Sequence, residues 1–292
     1  MGLIAAEAGF DTARQANPRS MLRVRERMRI LVVNPQEGKL LTELGLRPYG
    51  EWIASVARLA GSQIDVVDVA DGADLPGTIE AHGIIGGGSV HAAYEDLRWI
   101  YRTKEFYRSA LRQGIPQLHI CWSHQAQVMA LGGDVGPGSN GRRVGIEELR
   151  LTAAGRQDPL FAGLPDTFEL FTSHVDVATR LPQGQHGQAT ELAFSSSYRH
   201  EALAFGSQVR TFQPHPEVAA DHLIPLARMR RDTLASEGII GPGEADFEDF
   251  LTELREADQR IRKNNMRIFE NWLTRFAAPF FRMNPLPSLT GG

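Results

Sequence analysis

The sequence predicts an α/β fold: an open, mainly parallel sheet with helices on both faces, followed by a C-terminal helical extension. Three observations carry this expectation. Short β-rich runs alternate with stretches of helical periodicity through the first half of the chain. Strands that alternate with helices need crossover connections, which lay helices on both faces of a parallel sheet. Glycine-rich turns follow the strand candidates, and beyond residue 217 the apolar residues recur at helical spacing.

The elements follow in order. Residues 29–34, Arg-Ile-Leu-Val-Val-Asn, are a continuous apolar run closed by Asn34-Pro35, the pattern of a buried parallel strand. Trp52, Ile53, Val56 and Leu59 then mark a helix. Residues 64–69 form a second strand stopped by Asp71-Gly72, and His82-Gly83-Ile84-Ile85 a third that enters Gly86-Gly87-Gly88-Ser89. An aromatic-rich helix carries Leu97, Ile100, Tyr101, Phe106, Tyr107 and Leu111, and Gly114-Ile115-Pro116 leads into a fourth strand, residues 117–120. Residues 147–152, 168–172 and 209–213 read as short strands separated by Pro, Gly and Asp, a more antiparallel second half of the same domain. After Gly241-Pro242-Gly243, residues 244–263 place Phe247, Phe250, Leu251, Leu254, Ala257 and Ile261 on one helical face. The acidic start and basic end suit the helix dipole. Met266, Phe269, Trp272, Leu273 and Phe276 mark a last amphipathic helix. The expected division is an N-terminal extension over 1–28, the α/β domain over 29–220, and a helical extension over 221–292 that packs on the same domain and ends in a frayed tail.

Composition narrows the function. The 292 residues are 42% hydrophobic and 23% charged, with a net charge of −4. That balance offers no basic field for a nucleic acid or an anionic membrane, and no apolar run approaches the ~20 residues of a membrane span. The N-terminal stretch is weakly apolar with Glu7 early. The arginine-rich segment after it also holds Asp11 and Glu26, against a transit peptide. A cytoplasmic protein is expected. The single cysteine, Cys121, cannot form an internal disulfide, so a disulfide scaffold is excluded.

Cys121 follows the fourth strand and precedes a helix carrying Val128, Met129 and Leu131. Two readings fit this setting: a buried structural cysteine, or a nucleophile at a strand-to-helix turn whose helix N-terminus favours the thiolate. A second cluster, Phe212-Gln213-Pro214-His215-Pro216-Glu217-Val218, bears on the choice. Thiol catalysis of hydrolysis needs a base to take the proton and return it to the leaving nitrogen, and an acceptor to orient that base. His215 and Glu217, two residues apart on an extended segment, suit both roles.

These residues resemble the class I glutamine amidotransferase family, whose nucleophile motif is Gly-x-Cys-x-Gly-His-Gln and whose second motif is Phe-His-Pro-Glu. The matching pieces are His119-Ile120-Cys121-Trp122-Ser123-His124-Gln125 with Ala130-Leu131-Gly132-Gly133, and Pro214-His215-Pro216-Glu217. Gly86-Gly87-Gly88-Ser89, Asp158-Pro159-Leu160-Phe161-Ala162-Gly163-Leu164-Pro165 and Ser173-His174-Val175-Asp176 are similar too. The pieces fall in the family's order over roughly two thirds of the chain. The resemblance implies a flavodoxin-like sheet and a triad of Cys121, His215 and Glu217. It implies oxyanion donors at Gly87, Gly88 and Trp122, and a glutamyl site at Gln125, Ser173, His174 and Val175. It implies no cofactor and no metal; His124, His174 and His215 lack a ligand spacing. Two departures stand out: His119 and Ser123 replace family glycines on either side of the cysteine.

The activity expected is cleavage of a γ-glutamyl amide through a cysteine thioester, with a small γ-glutamyl substrate. Two alternatives stay open: supply of ammonia to a separate synthetase, and a catalytically silent relative that only binds. A synthetase partner and a homo-oligomer are both compatible with the helical extension. The leaving amine is expected to be apolar and larger than ammonia, because Trp122, His119 and the aromatic stretch after the glycine loop are placed to wall the cleft.

Overall fold

The computed structural model describes residue 24 and residues 26–183 and 187–285. Most of the N-terminal extension expected over 1–28, and nearly all of the tail, lie outside the described residues. The strands are β1 (Ile30–Asn34), β2 (Ile64–Asp68), β3 (Gly83–Gly86), β4 (Gln117–Ile120), β5 (Asp134–Pro137), β6 (Arg143–Leu151), β7 (Thr167–His174), β8 (Asp176–Arg180), β9 (Ala189–Phe194), β10 (Ala202–Phe205) and β11 (Val209–Phe212). A nine-stranded sheet runs in the order β2-β1-β3-β4-β11-β10-β9-β6-β7, and β5 pairs with β8 alone. From β2 to β11 all pairings are parallel; from β11 to β7 all are antiparallel.

β1 explains why helices must cover both faces. All five of its residues are buried. Ile30 and Val32 join one apolar cluster while Leu31 and Val33 join another, as the two-residue period of a strand requires. The first cluster takes in Trp52 and Ile53 of α2 (Tyr49–Ala57), which follows the short α1 (Gly38–Glu43). The second takes in Ile100, Phe106 and Tyr107 of α3 (Arg98–Arg112) with Trp122 and Ala126 of α4 (Trp122–Ala130). β6 reaches β9 only through Arg150 and Leu151, so most of the β6–β7 hairpin extends beyond the shared ladder. It comes back to the centre, where Phe171 bridges His215.

After α5 (Ala153–Gln157), α6 (Ala220–Met229) and α7 (Arg231–Ser236), the chain enters α8 (Glu244–Trp272), a π turn (Leu273–Ala277) and α9 (Ala278–Met283). The two helices expected over 244–276 are therefore one element of 29 residues ending in the π turn. The reading stopped at Asn264-Asn265, whose side chains compete with helical backbone when left free. Here they are occupied elsewhere: Asn264 donates to Glu169 O at 3.0 Å and Asn265 to Val218 O at 2.8 Å. Four strands escaped the sequence reading: β5, β8, β9 and β10. β5 contains Gly136 and Pro137, and β10 is four fully buried residues without alternation. Among the described residues no helix is long and apolar enough to cross a membrane.

Candidate active site

The site forms where β4 and β11 end. Their parallel register pairs Gln117 with Val209 and Ile120 with Phe212, so both chains leave the sheet at one level. Cys121 N–H donates to Phe212 O at 2.7 Å. The backbone then turns sharply: Cys121 has φ 51° and ψ −105°, one of two non-glycine residues among those described with positive φ. A side chain held there costs about 1–3 kcal/mol, and the turn lifts Cβ off the sheet at the N-terminus of α4. Cys121 is 5% exposed, with its sulfur 3.9 Å from Ser173 O and 3.8 Å from the Gln213 amide nitrogen.

His215 arrives three residues after β11 and is fixed by backbone and side chain together. Its N–H donates to Phe171 O at 2.8 Å, and its Nδ1 lies 2.8 Å from Glu217 Oε1. Tyr49, the first residue of α2, donates its hydroxyl to the same carboxylate oxygen at 3.2 Å. Burial and the Glu217 charge hold the Tyr49 phenol well above its ordinary range, so it remains a donor. Burial of His215 pushes toward the neutral ring, but Glu217 and Cys121 outweigh it and raise the imidazole well above its usual value. The ring sits beside the glycine loop. A Cβ on Gly88 would stand 2.9 Å from His215 Cε1 and 3.6 Å from Cys121 Cβ, and one on Gly87 would stand 2.6 Å from the Tyr49 ring. Glycines at these positions allow the loop, the thiol and the imidazole to approach one another.

The two departures from the motif lie beneath this loop. His119 is fully buried, its ring centroid 4.0 Å from that of Tyr107 and its Nε2 2.9 Å from Gln117 Oε1. Ser123 donates to Gly87 O at 2.7 Å, and its hydroxyl meets that of Tyr107 at 2.9 Å. Together they fill the space under the turn and tie the loop to α4. Of the amides expected to serve as oxyanion donors, Gly87 N–H is held by Val33 O at 3.1 Å. Among the described residues no acceptor engages the Gly88 or Trp122 N–H.

A cavity of about 270 Å³ opens over Cys121. One wall is Ser173, His174, Val175 and Asp176, with Gln125. Gln125 Nε2 donates both to Asp176 O at 2.8 Å and to Gln213 Oε1 at 3.2 Å, which leaves its carbonyl oxygen for other contacts. The lining also includes an aliphatic and aromatic set: Leu40, Leu41 and Leu44, with Trp52, Val218 and Leu226. This corrects the expectation that the Trp122 and His119 side chains would line the cleft. The Trp122 indole is 1% exposed and packs 5.1 Å from Trp99 in the core between α3 and α4, and neither side chain lines the cavity. The helix direction decides this. At the first position of α4 the side chain points back beside the sheet, away from the cleft above it. Tyr49 and Arg230, which line the cavity, and Gln213, which meets the Cys121 sulfur, are among the site neighbours that sequence reasoning missed. Only Gln213 had a signal, as part of the segment containing His215.

The sequence profile of the glutamine amidotransferase class-I family matches residues 48–223. The chain is 26% identical over 217 residues to gamma-glutamyl peptidase 5 of Arabidopsis thaliana, covering 73% of this chain and 82% of that one. It is 33% identical over 165 residues to the gamma-glutamyl-L-1-hydroxyisopropylamide hydrolase of a Pseudomonas species, covering 53% and 54%. Among solved structures, a glutamine amidotransferase from Thermotoga maritima superposes with a TM-score of 0.68 at 21% identity. It covers 85% of this chain and 98% of the other, a likeness of fold. Sheet order, the turn at Cys121 and the matched profile agree: this chain belongs to the glutamine amidotransferase class-I family.

Proposed function

We propose that the protein hydrolyses the γ-glutamyl amide bond of a substituted amide through Cys121, His215 and Glu217. One observation carries this reading: the only cysteine sits in a backbone turn of positive φ, and beside it at Gly88 lies a histidine whose Nδ1 is held by a buried carboxylate. The similarity to a γ-glutamyl peptidase and a γ-glutamyl amide hydrolase supports the choice of bond.

The chemistry follows from the geometry. His215 Nε2 takes the thiol proton while Glu217 fixes Nδ1 and stabilises the imidazolium. The Cys121 thiolate attacks the γ-carbonyl carbon, and the oxygen that gains charge receives the Gly88 and Trp122 N–H groups. We assign donor duty to these two rather than to Gly87, whose amide is engaged in the sheet. The carbon–nitrogen bond breaks as His215 returns its proton to the leaving amine, which leaves a γ-glutamyl thioester on Cys121. Water, deprotonated by His215, attacks the thioester carbonyl; the carbon–sulfur bond breaks and glutamate departs.

The leaving amine lies on the His215 side of the scissile bond. We place it against the apolar part of the lining: Leu40, Leu41, Leu44, Trp52, Val218 and Leu226. Burial there stabilises an apolar group by about 25 cal/mol per Å², and ammonia would gain nothing. A thiol-directed glutamine analogue tests the mechanism: an adduct on Cys121, located by peptide mass mapping, is expected. No adduct under conditions where amide is turned over would refute it.

A further inference from the structure

The cleft contains an arginine supplied from outside the span that the family profile matches. Arg230 closes α6, seven residues past residue 223. Its side chain lines the cavity, where one guanidinium nitrogen lies 3.3 Å from Ser173 Oγ. Among the described residues it pairs with no carboxylate. The carboxylate of Glu237 is occupied by Arg142, at 2.8 Å. Beside it His174 is 6% exposed, lines the same cavity, and neither ring nitrogen has a hydrogen-bond partner. Burial holds His174 down to about 3, so the ring is neutral near pH 7 and can donate one N–H. A half-buried guanidinium with no carboxylate in direct contact gains from an anion that arrives to meet it, and its planar fork suits a carboxylate.

The position of the anion follows from the contacts at the thiol. Ser173 contacts both Cys121 and Arg230, so one residue of the cavity lining joins the sulfur that carries the acyl group to the guanidinium. Building on the γ-glutamyl reading, we infer that Arg230, with Ser173 and His174, binds the α-carboxylate of the glutamyl group and selects acyl donors that carry one.

The test compares γ-glutamyl-p-nitroanilide with 4-aminobutyryl-p-nitroanilide, which differs only in lacking the α-carboxylate. Wild type is expected to prefer the first in kcat/KM. In Arg230→Met that preference should fall about 10- to 100-fold, the size of a charge-assisted contact. Arg230→Lys should recover part of it. The preference is a ratio measured on one preparation, so loss of folded protein does not alter it. A preference unchanged in Arg230→Met overturns the assignment. So does an equal loss on both substrates together with a raised pH midpoint for alkylation of Cys121, which would mark Arg230 as a partner of the thiolate. If wild type cleaves no γ-glutamyl amide at all, including glutamine, the underlying reading of the site falls, and this inference with it.

Discussion

His119 lies in β4 and His215 just past the neighbouring β11; one is fully buried and the other 13% exposed, yet they titrate in opposite directions. His119 sits against the Tyr107 ring and the Gln117 amide, and burial, with a smaller push from His124, pulls it down to about 3. Burial pushes His215 down as well, but Glu217 and Cys121 outweigh it and raise the ring well above its usual value. The contrast teaches that depth alone does not set the charge of a histidine in this sheet. The neighbours do: a neutral amide and a phenol preserve a neutral ring, while a carboxylate and a thiol create an imidazolium.

The strongest way to break the contrast is to remove the thiol. Cys121→Ala should reduce amine release from every γ-glutamyl substrate below detection while the circular dichroism spectrum stays native, since no second thiol exists to replace it. It also removes one of the two groups that raise His215, so the imidazole should titrate lower by NMR. Turnover near wild type in this variant would defeat the mechanism.

Glu217→Gln comes next, because it gives His215 a neutral amide partner like that of His119. Here kcat/KM should fall about 10³-fold. The pH midpoint for iodoacetamide alkylation of Cys121 should rise as the imidazolium is lost. An unchanged midpoint would show that Glu217 only packs against the ring.

Stability against pH separates the two histidines directly. The raised His215 contributes stability that is fully present below the unfolded value of about 6.5 and is lost as pH climbs through the folded value. The depressed His119 does the reverse: its contribution is present above about 6.5 and is lost as pH falls toward 3. In urea titrations, His119→Asn should therefore flatten the acid limb by about 2–4 kcal/mol between pH 6.5 and 3. The alkaline limb should stay unchanged. A parallel shift at every pH would mean that His119 matters for packing alone.

The smallest effect belongs to the leaving-group wall. Leu40→Ala with Leu44→Ala should lower kcat/KM for amides of apolar amines about tenfold and leave glutamine unaffected, at ~0.8 kcal/mol per buried methylene. If wild type turns over glutamine faster than every substituted amide, the larger-substrate reading is wrong and supply of ammonia becomes the better one.

The sequence made some of this legible for identifiable reasons. β1, β3 and β4 are buried on both faces, so they appear as short unbroken apolar runs, and the loops that end them carry glycine or the sole cysteine. Cys121, His215 and Glu217 each sit in a short motif beside a strand end, so they could be read as a set. β8, β9 and β10 owe their form to the strands they pair with and have no strong period of their own. Tyr49 and Arg230 reach the cleft from helix ends, where nothing in the neighbouring residues marks them. His119 was legible as an anomaly, but its solution, a tilted ring contact with Tyr107 from a helix twelve residues upstream, required the fold.

Asn265, deep in α8, holds the carbonyl of Val218, the residue after Glu217, and Asp258 one turn-pair earlier accepts the N–H of Ala220. The long helix thus steadies the segment that carries His215 and Glu217, from outside residues 48–223. The span that the family profile matches is therefore smaller here than what folds as one. A chain cut to 48–223 would forfeit β1 from the middle of the parallel strands. It would also bare the surface that Leu251, Leu254, Ile261 and Ile268 now cover. Grafting this amidase onto another protein, or trimming it for expression, must carry both flanks along.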